Sequence, residues 1–310
     1  MTSKIVVVGV TSLYMSVPVD QFPVRYQPSR SPNWLRAGAA GAGCHIAKIL
    51  RALGDEVNLC TVIGRDPPGA LIRTELAGGG LLGPCVVEAQ ASSLGVVLVA
   101  PDGRRMGHPY LAMVNSVEYP ADVFRQSLRG ADLAILTNSR FARPLLRHAR
   151  RHGVPIAVDV HLITDIDDCY NQPWLEVADV IFCSHERLPC PPAEWVKRVF
   201  ERYPGCAIAG IGCAAAGCVL GLRDGRLVQV PAAAPRGIVS TAGAGDTLFA
   251  SFVHGWLATG NPIKAVERAV LCAGWAIGDS FPCEATLTGE QVDILEAVCG
   301  VRAVVSHWKP

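Results

Sequence analysis

Ser240-Thr241-Ala242-Gly243-Ala244-Gly245-Asp246-Thr247 is the stretch that decides how this chain reads. Two glycines around an alanine place nearly bare backbone amides in a row. Asp246 then opens an apolar-periodic helix through Leu248, Phe249, Phe252, Val253, Trp256 and Leu257, which stops near Gly260. Amides at a helix N-terminus bind anions, helped by the helix dipole. A carboxylate beside such a nest can take a proton from a hydroxyl while the nest holds charge on a transferring phosphoryl group. The plainer alternative is an N-capping Asp after a flexible glycine turn.

Short β-branched runs surround this stretch: Ile5–Val8, Val57–Ile63, Gly95–Val99, Leu133–Leu136, Ile156–Val160, Val180–Phe182, Ala207–Ile211 and Val219–Leu222. Helical patterns at Ala42–Leu53, Arg143–His152, Pro192–Arg202 and Pro262–Ile277 fall between many of them. The alternation predicts an α/β fold with a parallel sheet. Residues 13–38 and 85–118 break the rhythm with short extended pieces and turns such as Pro101-Asp102-Gly103-Arg104, and read as β excursions.

The bulk numbers narrow the function classes. Half of the 310 residues are hydrophobic and 18% are charged, which suits a packed globular core. A net charge of +1 with interspersed signs gives no footprint for nucleic acid or an anionic membrane. Arg140, Arg143, Arg147, Arg150 and Arg151 have the spacing of a solvated helix face. No segment has the roughly 18 apolar residues of a membrane span, and the N-terminus reads as a first strand, not a signal peptide. The expectation is a cytoplasmic protein. Its twelve cysteines, Cys283 among them, contain no Cys-x-x-Cys pair and read as reduced, buried small hydrophobes.

Thr241, Gly243, Ala244, Gly245 and Asp246 resemble the second signature of the ribokinase/PfkB carbohydrate kinase family, Asp-Thr-x-Gly-Ala-Gly-Asp, with Ser240 in place of the first Asp. The run Gly38–Ala47, ending at Leu53-Gly54, resembles the first signature, with Ala40 where a Gly is usual and His45 where an Asn is usual. The resemblance implies a single ribokinase-like three-layer α/β/α domain over 1–310, with a small β-sheet lid from about 13–38 and 85–118. It implies an ATP-dependent kinase that phosphorylates a hydroxyl of a sugar, nucleoside or similar small polyol. Asp246 is then the general base, and Gly243, Ala244 and Gly245 form the anion hole. Ser12, Tyr14, Gly41, Ala42, Gly43, His45 and Asn138 become substrate contacts, with Tyr14 standing where the family usually has an Asp.

For the nucleotide, the resemblance points to Ser184, Gly212, Gly217, Thr241, Ala244, Gly245 and Val270. The loop Ala209–Gly217 resembles the family's Gly-x-x-Gly nucleotide turn, although a plain strand-to-strand turn looks the same. Ser184 and Arg187 replace the family's Asn-x-x-Glu magnesium motif. Magnesium remains an expectation, with Asp159 contributing through water, and so does potassium, which Ser240 weakens by removing a carboxylate. Family lids often pair, so a homodimer through the lid is expected. Gly41-x-Gly43 also invites a dinucleotide reading, which the segment before Gly38, not strand-like in sequence, disfavours. The alternative to a kinase is a catalytically silent ligand-binding or interaction protein of the same fold, motivated by Tyr14, His45, Ser184, Arg187 and Ser240.

Overall fold

The computed structural model describes residues 2–281 and 286–308, so Cys283 lies outside the described residues. Strands in chain order are β1 (Lys4–Val8), β2 (Ser12–Pro18), β3 (Arg36–Ala40), β4 (Glu56–Gly64), β5 (Val86–Ala89), β6 (Ser93–Val99) and β7 (Arg105–Tyr110). They continue as β8 (Leu133–Leu136), β9 (Ile156–Leu162), β10 (Val180–Ser184), β11 (Ile208–Gly212), β12 (Cys218–Leu222), β13 (Arg226–Val230) and β14 (Val304–His307). Ten of these make one sheet in the order β14-β13-β12-β11-β10-β9-β8-β1-β4-β5. It is parallel from β5 to β11, and β12, β13 and β14 extend it as antiparallel ribbons.

Both faces of this sheet are buried, which explains why its central strands are apolar without alternation. Ile5 and Val7 enter one core with the helices Ala42–Leu53, Ala244–Thr259 and Pro262–Ala276. Val6 and Val8 enter the other, with Leu146–His152 and Pro192–Arg202. Asp159 follows Val158 on β9 and so points to the first of these faces, beneath the signature helix. The strand order reverses around β1, whose neighbours are β4 and β8. In open α/β sheets, ligands gather beyond the carboxyl ends of strands at such a point.

A second sheet, ordered β3-β2-β6-β7, forms the small β lid. The chain enters it directly from β1 and returns from β3 into the helix Ala42–Leu53. Of the residues 85–118, β5 belongs to the main sheet instead, beside β4. Arg36–Ala40 is a strand, which corrects the sequence reading of that segment. Its Ala and Gly residues carry no β signal, and antiparallel pairing with β2 makes the strand. It lies outside the parallel sheet, so Gly41-x-Gly43 still has no dinucleotide-type strand before it.

The Arg-rich segment is split, a 3-10 turn at Arg140–Leu145 followed by the helix Leu146–His152, and its five arginines are exposed. Eight of the eleven described cysteines are buried, Cys169 is exposed, and none is in a disulfide. No helix among the described residues is long and apolar enough to cross a membrane.

Candidate active site

The signature helix starts two residues earlier than its sequence suggests. Gly243 takes a left-handed backbone (φ 77) and ends the loop, so the helix runs Ala244–Thr259 with Asp246 at its third position. Asp246 is therefore not an N-cap, and its side chain is free for chemistry. Ala244 N–H makes only a long bond to Thr241 O, at 3.4 Å. No acceptor is seen among the described residues for the amides of Gly245 and Asp246. They form an open anion nest on a dipole that runs sixteen residues.

The Asp246 Oδ2 lies 3.3 Å from His45 Nδ1, and its Oδ1 is buried without a hydrogen-bond partner. Burial pushes this carboxyl up, but the hydrogen bond and charge of His45, with His161 and Arg105, more than offset it. The net position is below the usual carboxylate range, so Asp246 is held ionised. His45 is buried on the first turns of the helix Ala42–Leu53, which packs on the signature helix. Asp159 is almost fully buried at the β9 end, and burial holds its carboxyl above the ordinary range despite His161. His161 sits 3.5 Å from Asp159. The ring loses hydration, which favours the neutral form, yet Asp159 and Asp246 hold it above the ordinary histidine value.

Glycines of the first signature serve packing between chain segments. Gly41 is the helix N-cap at φ 95, and a Cβ there would lie 2.8 Å from Val10 O. A Cβ on Gly43 would lie 2.4 Å from the carbonyl carbon of Gly9. Their missing side chains admit the backbone leaving β1, where the resemblance suggested room for substrate. Ala42 is the first helical residue between them.

Tyr14 lies flat across Gly95 on the neighbouring lid strand, where a Cβ would meet its ring at 2.3 Å. It packs with Val97, Val99 and Ala242. Burial first, and Asp246 second, raise its hydroxyl above the ordinary phenol value. The charge environment of the ring's hydroxyl thus includes Asp246. Ser12 stands beside Ser93 in the lid register, and both hydroxyls, like that of Ser16, are buried without a partner.

Other predicted residues have structural partners. Both amide hydrogens of Asn138 are taken, by Val160 O at 3.1 Å and Asn171 Oδ1 at 2.9 Å, so the side chain braces the β9 end. Thr241 donates its hydroxyl (2.9 Å) and its amide (3.1 Å) to Gly103 O, which ties the β6–β7 lid turn to the signature loop. Ser240 is buried and accepts from Ala242 N–H at 3.2 Å. Ser184 caps the 3-10 turn His185–Arg187 through Glu186 N–H. Gly212 ends β11, and Gly217, at φ 90, opens β12. The loop between them is an antiparallel hairpin, the plainer of the two sequence alternatives, although it faces the site's end of the sheet. Val270 is a core residue of the helix Pro262–Ala276.

Two residues near Asp246 were not read from the sequence, Arg105 and His161. Arg105 reaches from the lid and lies 3.7 Å from Glu186. His161 has a left-handed backbone (φ 56), which no local pattern announces.

Residues 145–286 match the family model described as pfkB family carbohydrate kinase. An ATP-dependent ribose-1-phosphate kinase of Halopiger xanaduensis is 28% identical over 256 residues, 78% of this chain and 81% of that protein. An acarbose 7(IV)-phosphotransferase of Actinoplanes sp. is 26% identical over 283 residues, 88% of this chain and 91% of that protein. Among solved structures, a microbiome-derived acarbose kinase superposes with a TM-score of 0.84 at 21% identity, over 96% of this chain and 100% of that one.

Over residues 145–286 this chain is similar to the pfkB carbohydrate kinases.

Its fold is the ribokinase fold, and it is a phosphotransferase with an alcohol group as acceptor.

Proposed function

We propose that the protein transfers the terminal phosphoryl group of ATP to a hydroxyl of a sugar or sugar derivative, with Asp246 as general base. The observation that carries this is the pairing of an unsatisfied buried Asp246 oxygen with two unclaimed amides in the first turn of the same helix. A relative named as ATP-dependent, and two named for sugar-type substrates, support ATP and a carbohydrate acceptor. Nucleosides and other small polyols stay within the class. Ser12 and Ser93 supply hydroxyls and Tyr14 an aromatic face for such a molecule.

In the proposed step the acceptor hydroxyl gives its proton to Asp246. Its oxygen forms the new P–O bond as the bond from that phosphorus to the ADP oxygen breaks, and ADP leaves with the electron pair. The Gly245 and Asp246 amides face the charge on the transferring group without reorganising. His45 holds the carboxylate in its ionised form until it is needed. The Thr241–Gly103 tie keeps the lid turn over the loop and excludes water that would otherwise accept the phosphoryl group.

Magnesium, when bound, would offset the triphosphate charge. Oxygen donors suited to it are sparse, namely Asp159 and, beside Arg105, Glu186, so the nucleotide and water would supply most ligands. Potassium fits poorly. Ser240 brings no carboxylate, its hydroxyl is bonded to Ala242 N–H, and Ile277 O already accepts from Val239 and Ser240 N–H. The outer face of the lid exposes Met15, Leu94, Val96, Met106 and Tyr110, and this apolar face supports a lid-to-lid homodimer.

A screen of ribose phosphates, hexoses, oligosaccharides, nucleosides and polyols with magnesium-ATP tests the reading. Stoichiometric ADP and phosphorylated acceptor from one carbohydrate are expected. Preference for a nucleoside or non-sugar polyol would move the substrate class, and ADP release without any acceptor product would contradict the proposal.

A further inference from the structure

Asp159, His161 and Asp246 each offer a donor atom, and these atoms all lie within 4.8 Å of one another. The chain brings them together by a specific distortion. Along β10, Phe182 pairs with Asp159 and Ser184 with Leu162, so two residues of advance on one strand match three on the other. The extra residue bulges β9, and His161 takes φ 56 within it. A left-handed backbone is unfavourable for any residue other than glycine. Bulges of this kind re-aim a side chain beside a functional site. Here the bulge turns the imidazole back toward Asp159 and the signature helix.

Two further observations point to a ligand. One oxygen of Asp246 is buried and has no protein partner, while the other faces His45. The Asp159 side chain is 6% exposed and that of His161 is 41% exposed, so the buried carboxylate is reached from solvent past the imidazole ring.

We propose that Asp159, His161 and Asp246 form a binding site for one divalent first-row transition ion, such as Zn2+, Co2+ or Mn2+. Two carboxylates and one imidazole suit these ions, whereas magnesium prefers oxygen donors and near-ideal octahedral geometry. With bonds of about 2.0–2.2 Å, donors around such an ion stand about 3–4 Å apart. A modest rotation of His161 closes the present spread. The ion occupies the oxygen of Asp246 that would face the acceptor hydroxyl, so ion and acceptor compete for it. Binding itself depends only on these three residues. The competition rests on the kinase reading, with Asp246 as base.

The test uses metal-free full-length protein without nucleotide. Co2+ is titrated by visible absorption and Zn2+ by calorimetry. One ion per chain is expected, with affinity reduced at least about 10-fold in His161→Gly and in Asp159→Asn, in line with losses at metal sites. Glycine accepts the left-handed backbone and Asn keeps the shape of Asp, so both variants retain the fold, as circular dichroism will verify. His108→Ala, an exposed lid histidine, is expected to bind as the parent does. Equal binding by parent and His161→Gly, or none by the parent, overturns the site. In turnover at fixed magnesium-ATP, added Zn2+ is expected to raise the apparent KM of the acceptor and leave kcat little changed. An unchanged KM overturns the competition. A chain that binds the ion but phosphorylates nothing refutes the kinase reading and leaves the site standing.

Discussion

Substituting Gly43 by Ala tests how the first signature builds the site. On an ordinary helix the change would gain about 0.5–1 kcal/mol from propensity. At this position the added Cβ would lie 2.4 Å from the Gly9 carbonyl carbon and 2.6 Å from both its Cα and its oxygen. All three are backbone atoms on the exit of β1, with no flexible tip to move aside. Ordinary contact begins near 3.4 Å, so helix and strand must separate by roughly 1 Å. Overpacking of this kind costs about 1–3 kcal/mol, and more where backbone must shift. The expected net loss is about 2 kcal/mol. Urea unfolding measures it as a lower midpoint at unchanged slope. Gly78→Ala, at a helix end with nothing within 4 Å of the new Cβ, is the control and is expected to hold or gain stability. His45 lies two residues beyond Gly43 on the same turn, and its contact with Asp246 is already 3.3 Å, so activity per folded molecule is expected to fall as well. A Gly43→Ala protein as stable as the parent would refute the packing argument.

Asp66→Ala removes an N-cap that accepts from Gly69 N–H, Ser92 N–H and Ser92 O–H, and is expected to cost about 1–2 kcal/mol in denaturant unfolding. Burial pushes the Asp66 carboxyl up, but those hydrogen bonds place it below the ordinary aspartate value. Its contribution is therefore complete above that value and lost as pH falls through the lowered folded one. The difference between parent and variant should shrink in acid. Val96→Glu, on the exposed lid face, is expected to convert a dimer to a monomer in light scattering coupled to size exclusion, with the fold intact by circular dichroism. Removing magnesium with EDTA is expected to abolish ATP-dependent turnover, and restoring it in excess to recover activity.

The parts of this protein most legible in sequence are those fixed by neighbours along the chain. The apolar runs of β1, β8 and β10 announce buried strands, and Gly-Ala-Gly-Asp announces a nest and a carboxylate at a helix start. The start itself is displaced because Gly243, in a left-handed backbone, ends the loop before Asp246. β3 was unreadable because Arg-Ala-Gly-Ala-Ala has no strand propensity and is held by its partner β2. The close approach of Gly9 to Gly43 pairs residues far apart in sequence, as does the convergence of Asp159 and His161 on Asp246. His161 depends besides on a bulge that its own residue type opposes. Sequence reasoning assigned Asn138 and Thr241 to ligands, whereas the Asn138 amide hydrogens and the Thr241 hydroxyl are bonded within the fold.

The most direct test of the account is the rate of phosphoryl transfer to the best carbohydrate acceptor by the parent and by Asp246→Asn, at saturating magnesium-ATP and with nucleotide binding measured alongside. The account predicts a fall in kcat of about 100-fold or more, the usual scale for a lost general base, with ATP still bound. Turnover near the parent rate in Asp246→Asn would contradict it.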